Sequence, residues 1–533
     1  MDNVAAAPGR LAKSAGLAGA ATLTSRILGL ARETVLAAIF GAGNEMDAFN
    51  VAFRIPNLVR DLFAEGAMSA AFVPAFTRRL TLSGKEDAWR LANNVINALI
   101  VATGIVVVLA LWFARPLVTA YAGDFAEVPG KLALTIQLTR IMLPFLILVA
   151  IAAAMMGMLN SLHHYFVPAL APAMFNVASI AGAIALVPVV TAFGWPGITA
   201  IAIAAIAGGI GQIVLQWPPL AREGFRYRLR LDTKDTGLRH VLSLMGPGTV
   251  GLAATQVNLL VNTQLASGQG TGAVSWLTYA FRLMYLPIGL FGVSIATAVL
   301  PAAARHAALE ETPEVRRTLS RGLSLMLLLN VPATLGLIVL ATPIVRLLLE
   351  RGQFLPADTA ATAAALQLYA VGLVGYSTAR IVSPVFYALG ESRTPVAASA
   401  ASIAVNVVAS VWLVRVLGFR GLALGTSIAA LLNGALLLLL LRTRLGGVEG
   451  RMLAARLGKI VIASVAMATV AFGSARQLAM VLPGGGTIPQ AVRLAIAIAA
   501  GLVTLAAVAK LLRVPELDEV ANLIRGRARK LLD

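Results

Sequence analysis

The stretch MDAFNVAFRIPNLVRDLFAEGAMSAAFVPAF, residues 46–76, is apolar enough to lie in a bilayer, yet it carries Arg54, Arg60, Asp61 and Glu65. Whether it spans a membrane decides how the whole chain is read. The 533 residues are 59% hydrophobic and only 13% charged, with a mean hydropathy of +0.84, whereas ordinary soluble domains carry roughly 25% charge. That composition describes an integral membrane protein, and the charged stretch becomes one span among many.

A spanning helix needs about 20 mainly apolar residues. Working outward from 48–77, the sequence predicts spans at 17–40, 92–113, 133–157, 167–190, 197–217, 238–266, 273–302, 319–341, 360–388, 396–417, 421–441, 455–482 and 490–512. The expected fold is an all-α polytopic membrane protein of about 14 transmembrane helices. A closed β-barrel would need short segments of alternating polarity, and runs such as IVVVLALWF do not alternate. Arg10 and Lys13 precede the first apolar run, but no clear cleavage site follows it, so it reads as a retained first helix.

A net charge of +19 in a soluble protein would suggest nucleic acid. Placement gives another cause. With a cytoplasmic N-terminus, 28 Lys and Arg fall in the tails and loops of that side, 8 on the opposite side and 7 within spans. This is the positive-inside bias, so no nucleic-acid partner is implied and both termini are expected in the cytoplasm. The loop REGFRYRLRLDTKDTGLR, residues 222–239, is its clearest marker. The absence of Cys excludes disulfides and thiolate metal sites.

The chain also resembles itself. AFRIPNLVRDLF at 52–63 aligns without a gap with AFRLMYLPIGLF at 280–291, an offset of 228, and Pro168/Pro395 and Asn176/Asn406 recur at offsets of 227 and 230. Such an offset covers six helices, an even number, so the repeats are parallel. The predicted domains are an N-lobe of six helices (1–235), a C-lobe of six (236–445), two appended helices (446–513) and a basic interfacial tail (514–533). A substrate site is expected between the lobes near mid-membrane.

A charge at the centre of a span costs about 2.5–3.5 kcal/mol on insertion scales, so each needs a partner, an aqueous cavity or a route to the interface. The seven intramembrane arginines are Arg26, Arg32, Arg54, Arg60, Arg140, Arg282 and Arg380, against Glu33, Asp61, Glu65 and the marginal Asp47. The positive surplus suits an anionic guest, and the planar guanidinium fits phosphate oxygens. Arg26, Arg32, Arg60 and Arg282 are expected to line a cavity, Arg54 and Arg140 to pair or snorkel, and Arg380 could do either. Asp47 and Glu65 are candidate gating partners for an arginine or substrate contacts. Ser275, Asn258 and Asn262 could line the cavity or bond between helices. Gly29, Pro56, Gly66 and Pro74 would loosen or kink the first two helices. His163 and His164 read as interfacial, and GQGTGA at 268–273 as a flexible loop. No GxxxxGK[ST] loop, HExxH or nucleophile elbow occurs, so no cofactor, metal site or covalent chemistry is expected and ATP is not the direct energy source.

The run SRILGLARETVLAAIFGAGNEMDAFNVAFRIPNLVRDLFAEGAMSAAFVPAF at 25–76, with SWLTYAFRLMYLPIGLFG at 275–292 and TPVA at 394–397, resembles the MurJ (MviN) family of lipid II flippases within the multidrug/oligosaccharidyl-lipid/polysaccharide (MOP) exporter superfamily. The resemblance implies translocation of lipid II, the undecaprenyl-pyrophosphate-linked precursor of peptidoglycan, across the bacterial inner membrane by alternating access. It implies a central cationic cavity for the head group and a groove in the last two helices for the lipid tail. Carried over by motif, the substrate-binding and translocation positions are Arg26, Arg32, Asp47, Arg60, Glu65, Ser275 and Arg282. Phe281 and Tyr285 depart from relatives that have acids near that last arginine, which puts a gating pair there in doubt. The membrane potential, or Na⁺, H⁺ or Cl⁻, is the expected energy source, and the partners implied are lipid II, membrane lipids and the cell-wall synthesis machinery, with the protein a monomer. The nearest alternative is a MOP exporter of another lipid-linked oligosaccharide or a drug, and a further one is a scaffold whose charges only pair helices.

Overall fold

The computed structural model describes residues 8–60, 71–289 and 293–517, with the side chains of 8–16, 18, 59–60, 245–255, 293–294 and 296–298 outside that description. All regular structure among the described residues is helical. Nine helical runs there are long and apolar enough to cross a membrane, and Pro356–Val371 with Leu373–Ala388, bent by 41°, makes a tenth. They coincide with ten of the predicted spans. The other four, 17–40, 48–77, 238–266 and 273–302, are the first two of each repeat and contain five of the seven intramembrane arginines. Asp61, Glu65, Gly66 and the tail 518–533 lie outside the described residues, as does the side chain of Arg60.

The chain forms two compact units, one of residues 1–275 with 351–354 and one of 276–350 with 355–533. The repeat assigns helix Thr236–Ser267 to the second lobe, but it packs on Val73–Trp112 and Ala114–Ala122 of the first unit. Gln264 accepts a 3.2 Å hydrogen bond from the Gly123 amide there.

In the first unit, Val73–Trp112 runs 40 residues and breaks at Gly84, whose φ of +82° is open to glycine without strain. Its charged first half extends well before the predicted span at 92. Tertiary contacts hold that half in place: Phe76 meets Trp89, which meets Phe225, at ring separations of 5.5 and 5.3 Å. The basic loop 222–239 is strapped to an asparagine ladder. Asn93 donates to the Arg226 carbonyl at 3.1 Å, Asn97 donates to the Arg228 and Arg230 carbonyls at 2.9 and 2.8 Å, and Asn94 accepts from the Asp232 amide at 3.3 Å. Extended backbone thus finds partners that no sheet supplies.

Asp235 ends that loop and caps Thr236–Ser267, accepting from the Gly237 and Leu238 amides at 2.7 and 3.0 Å and from both terminal nitrogens of Arg79 at 2.7 and 3.0 Å. Burial pushes its carboxyl up, but these hydrogen bonds outweigh burial and hold it below the ordinary carboxylate range. Its stabilising contribution is therefore present above the unfolded pKa of about 3.9 and is lost as pH falls through the lower folded value. Asp235→Ala is expected to remove about 1–2 kcal/mol and to flatten the acid limb of a thermal-stability profile in detergent; an unchanged limb would contradict the assignment.

In the second unit small residues let helices touch. A Cβ on Gly434 of Phe419–Leu445 would lie 2.9 Å from the Gly375 carbonyl oxygen, and one on Gly375 would run into the Ala430 carbonyl. Gly375→Ala is expected to cost about 1–3 kcal/mol by overpacking, read as a lower melting temperature. Helices Gly450–Val481 and Thr487–Leu511 pack on each other, and the first also packs on Thr312–Val339. At one end of that contact Arg456 bonds Ser324 at 3.1 Å and pairs with the buried Glu516 at 2.7 Å.

Candidate functional site

Arg26 and Arg32 lie on helix Pro8–Phe40, about 9 Å apart along its axis at 1.5 Å per residue. Arg26 is half-buried and has no hydrogen-bond or ion-pair partner among the described residues. Arg32 pairs with the adjacent Glu33, donating from Nε at 3.1 Å, and its guanidinium lies 4.9 Å from the Phe175 ring centroid. The two arginines therefore differ: one is partly neutralised and stacked, the other keeps its charge available. The helix is steadied by Asn176, which donates to the Ser25 carbonyl at 3.1 Å.

Asp47, in the first turn of Asn44–Arg60, is fully buried. A buried carboxylate is costly unless paired and hydrogen-bonded, and this one is both. Lys131 donates at 2.8 Å, the Gly272 amide at 2.7 Å, the Ser275 amide at 3.0 Å and the Ser275 hydroxyl at 2.7 Å. Lys131 is equally buried, and its ammonium stands 4.1 Å from the Phe125 ring centroid. Asn50 adds a 3.2 Å bond to the Ser275 hydroxyl, and Thr271 donates to Asn44 at 2.9 Å. The glycine-rich stretch 268–273, expected as a flexible loop, is thus a turn whose Gly272, at φ +95°, aims its amide at Asp47.

Two sequence expectations are refined here. Asp47 was a candidate partner for an arginine or for substrate, and its countercharge is a lysine 84 residues away. Ser275, a candidate cavity residue, is buried in the same latch. Lys131, Asn50 and Gly272 were missed. The one signal for the arrangement was the repeat itself, since Asp47 and Ser275 stand at its offset of 228.

Arg54 donates to the Thr263 hydroxyl of helix Thr236–Ser267, the helix-to-helix pairing expected of it, and Arg140 is exposed. Asn262 donates to Asn258 one turn away at 3.3 Å. Arg282 is half-buried on Ala273–Pro287, apart from Asp47, Arg26 and Arg32 in the sequence and in the second unit. Arg380 donates to the Tyr285 hydroxyl. His164 and Lys85 meet Glu223 at 3.0 and 2.8 Å, and His163 meets the Tyr165 hydroxyl at 3.0 Å. The Lys85 and His164 hydrogen bonds hold the Glu223 carboxyl below its ordinary range.

Chemically, this set can attract and hold anions. Arg32 is partly offset by the adjacent Glu33, and the buried Asp47 carboxylate is already consumed by Lys131. Among the described residues no group of three or more His, Asp or Glu is placed to hold a metal ion.

A family model described as lipid II flippase MurJ matches residues 36–482. A probable lipid II flippase MurJ of Rhizobium meliloti is 36% identical over 483 residues, covering 89% of this chain and 88% of the relative. The lipid II flippase MurJ of Burkholderia cenocepacia is 36% identical over 427 residues, 79% of this chain and 82% of the relative. Among solved structures, a lipid II flippase MurJ in an inward closed conformation superimposes with a TM-score of 0.75 at 26% identity, over 93% of this chain and 99% of that one. An inward-facing multidrug resistance MATE transporter of the MOP superfamily shares the fold, with a TM-score of 0.66 at 17% identity over 80% of this chain and 96% of that one.

Proposed function

Because the chain belongs to the MurJ family of lipid II flippases, we propose that it carries lipid II from the inner to the outer leaflet of the bacterial cytoplasmic membrane, with both termini in the cytoplasm. The observation that carries this reading to particular residues is the unneutralised guanidinium of Arg26 on a helix that also carries Arg32. Arg26, Arg32, Arg60 and Arg282 receive the pyrophosphate and its sugars, each guanidinium offering a fork of donors to phosphate oxygens. Low-dielectric surroundings strengthen that attraction relative to water.

Transport follows alternating access. The Asp47 carboxylate latches the outer side while the head group is captured. Release breaks the bonds from Gly272 and Ser275 to Asp47, and Lys131 continues to neutralise it. The tail stays in lipid along Gly450–Val481 and Thr487–Leu511, which expose apolar side chains such as Ile462, Phe472 and Leu502. No covalent step is required of any residue. Net charge moved across the bilayer couples to the membrane potential at about 2.3 kcal/mol per charge per 100 mV, which supplies a drive without nucleotide.

The test is depletion of the protein from cells, followed by addition of an enzyme that cleaves lipid-linked peptidoglycan precursor only from outside. The precursor is expected to accumulate in a protected form and to become cleavable again when the wild-type chain is restored. Unchanged accessibility would reject lipid II as cargo and favour another lipid-linked oligosaccharide or a drug.

A further inference from the structure

Four aromatic side chains and one arginine converge in the second unit, and no part of the transport account above uses them. Phe281 stacks on Tyr285, one turn along Ala273–Pro287, with centroids 5.9 Å apart and planes at 28°. Tyr369 and Tyr376 meet the Phe281 ring nearly edge-on at 5.4 and 6.4 Å. Arg380 lies one turn beyond Tyr376, stands 5.6 Å from the Tyr285 ring centroid and donates to its hydroxyl. Tyr369 is nearly buried, whereas Phe281, Tyr285, Tyr376 and Arg380 are each partly exposed.

Several features separate this cluster from ordinary apolar packing. Three of the four rings carry hydroxyls, whereas the four that meet around Phe53 in the first unit, Phe49, Phe53, Phe145 and Phe175, carry none. The Tyr376 hydroxyl makes no hydrogen bond among the described residues, and the residue as a whole is partly exposed. The Tyr285 hydroxyl accepts from Arg380, which leaves its own proton free to donate. Arg380 meets no carboxylate among the described residues, so its positive charge is not cancelled.

Ring faces carrying a negative quadrupole, edged by hydroxyl and guanidinium donors, are chemically suited to a pyranose, whose C–H faces are slightly positive and whose rim is hydroxyls. Arg282 lies between Phe281 and Tyr285 in sequence, within about 4.5 Å of each along the helix axis. A phosphate held by Arg282 would place a sugar bonded directly to it at this aromatic surface.

Resting on the flippase reading above, we infer that Phe281, Tyr285, Tyr376 and Arg380 form the saccharide-recognising platform of the head-group site. The platform reads the sugars, and Arg282 on the same helix as Phe281 and Tyr285 reads the pyrophosphate.

Binding of two ligands to the purified full-length chain in nanodiscs separates these roles: lipid II, and undecaprenyl pyrophosphate, which lacks the sugars. Phe281→Leu and Tyr376→Leu are each expected to weaken lipid II binding about five- to tenfold, the scale of one aromatic contact, and to leave undecaprenyl pyrophosphate binding unchanged. That retained binding also shows that the variants are folded. Tyr376→Phe, which keeps the ring, is expected to lose less than Tyr376→Leu. Equal weakening for both ligands would overturn the inference and assign the cluster to packing, and so would unchanged lipid II binding. A wild-type chain that binds neither ligand would overturn the flippase reading itself, and this inference with it.

Discussion

Lys131→Met is expected to cost about 3–5 kcal/mol of stability, because it leaves a buried carboxylate without its countercharge. Asp47 and Lys131 have side chains 0% and 2% exposed, and no solvent can replace the lost partner. Asp47→Asn should be comparably damaging, since it leaves the Lys131 ammonium buried among Phe125 and the helix ends. The double variant Asp47→Asn/Lys131→Met removes both charges at once and is expected to recover most of the loss, as replaced buried pairs commonly do. Melting temperatures of the four forms in detergent make a double-mutant cycle. Simple addition of the two single losses would show that the pair is not coupled and would remove the latch from the account. The recovered double variant is also the form in which gating can be examined apart from folding. With the Gly272 and Ser275 bonds weakened, its outward-open population should rise.

The second large effect concerns transport. Arg26→Gln is expected to lower lipid II translocation about ten- to a hundredfold, the worth of a hydrogen bond to a charged group, at normal abundance in the membrane. Its side chain has no partner among the described residues to leave behind. Arg32→Gln is expected to lower both translocation and abundance, because Glu33, 5% exposed, loses the ion pair that Arg32 gives it. Restoring each variant in depleted cells and measuring precursor accessibility alongside immunoblotted protein distinguishes the two. If Arg26→Gln transports normally, the arginine surplus is structural and the scaffold alternative gains.

Much of this architecture can be read from sequence because membrane spans are declared locally. Twenty apolar residues identify a helix without knowledge of its neighbours, so ten predicted spans meet strict criteria of length and apolarity. The other four, 17–40, 48–77, 238–266 and 273–302, each include residues or side chains outside the described ones, and they hold five of the seven intramembrane arginines. Sequence also located Asp47 and Ser275 by motif. It could not supply what they touch. Lys131 looks like one more outer-side cation until the fold brings it 2.8 Å from Asp47. The asparagines of LANNVIN, residues 91–97, read as mildly polar span residues, and only the extended loop 226–232 laid against them explains their presence. The meeting of Phe281 and Tyr285 with Tyr369 and Tyr376 is likewise a long-range event with no periodicity to announce it. Charges in the 61–70 stretch that first posed the problem, Asp61 and Glu65, belong to the undescribed residues.

The most direct test of the central claim is transport by the purified chain alone. Proteoliposomes containing it and lipid II labelled on its peptide would be prepared with a membrane potential, and the label exposed outside would be followed by an impermeant quencher. The account predicts time-dependent movement of lipid II across the bilayer that requires the protein, speeds with the potential and is largely lost in Arg26→Gln. Lipid II that stays on its starting side at the rate of protein-free vesicles, with the chain folded and inserted, would contradict it.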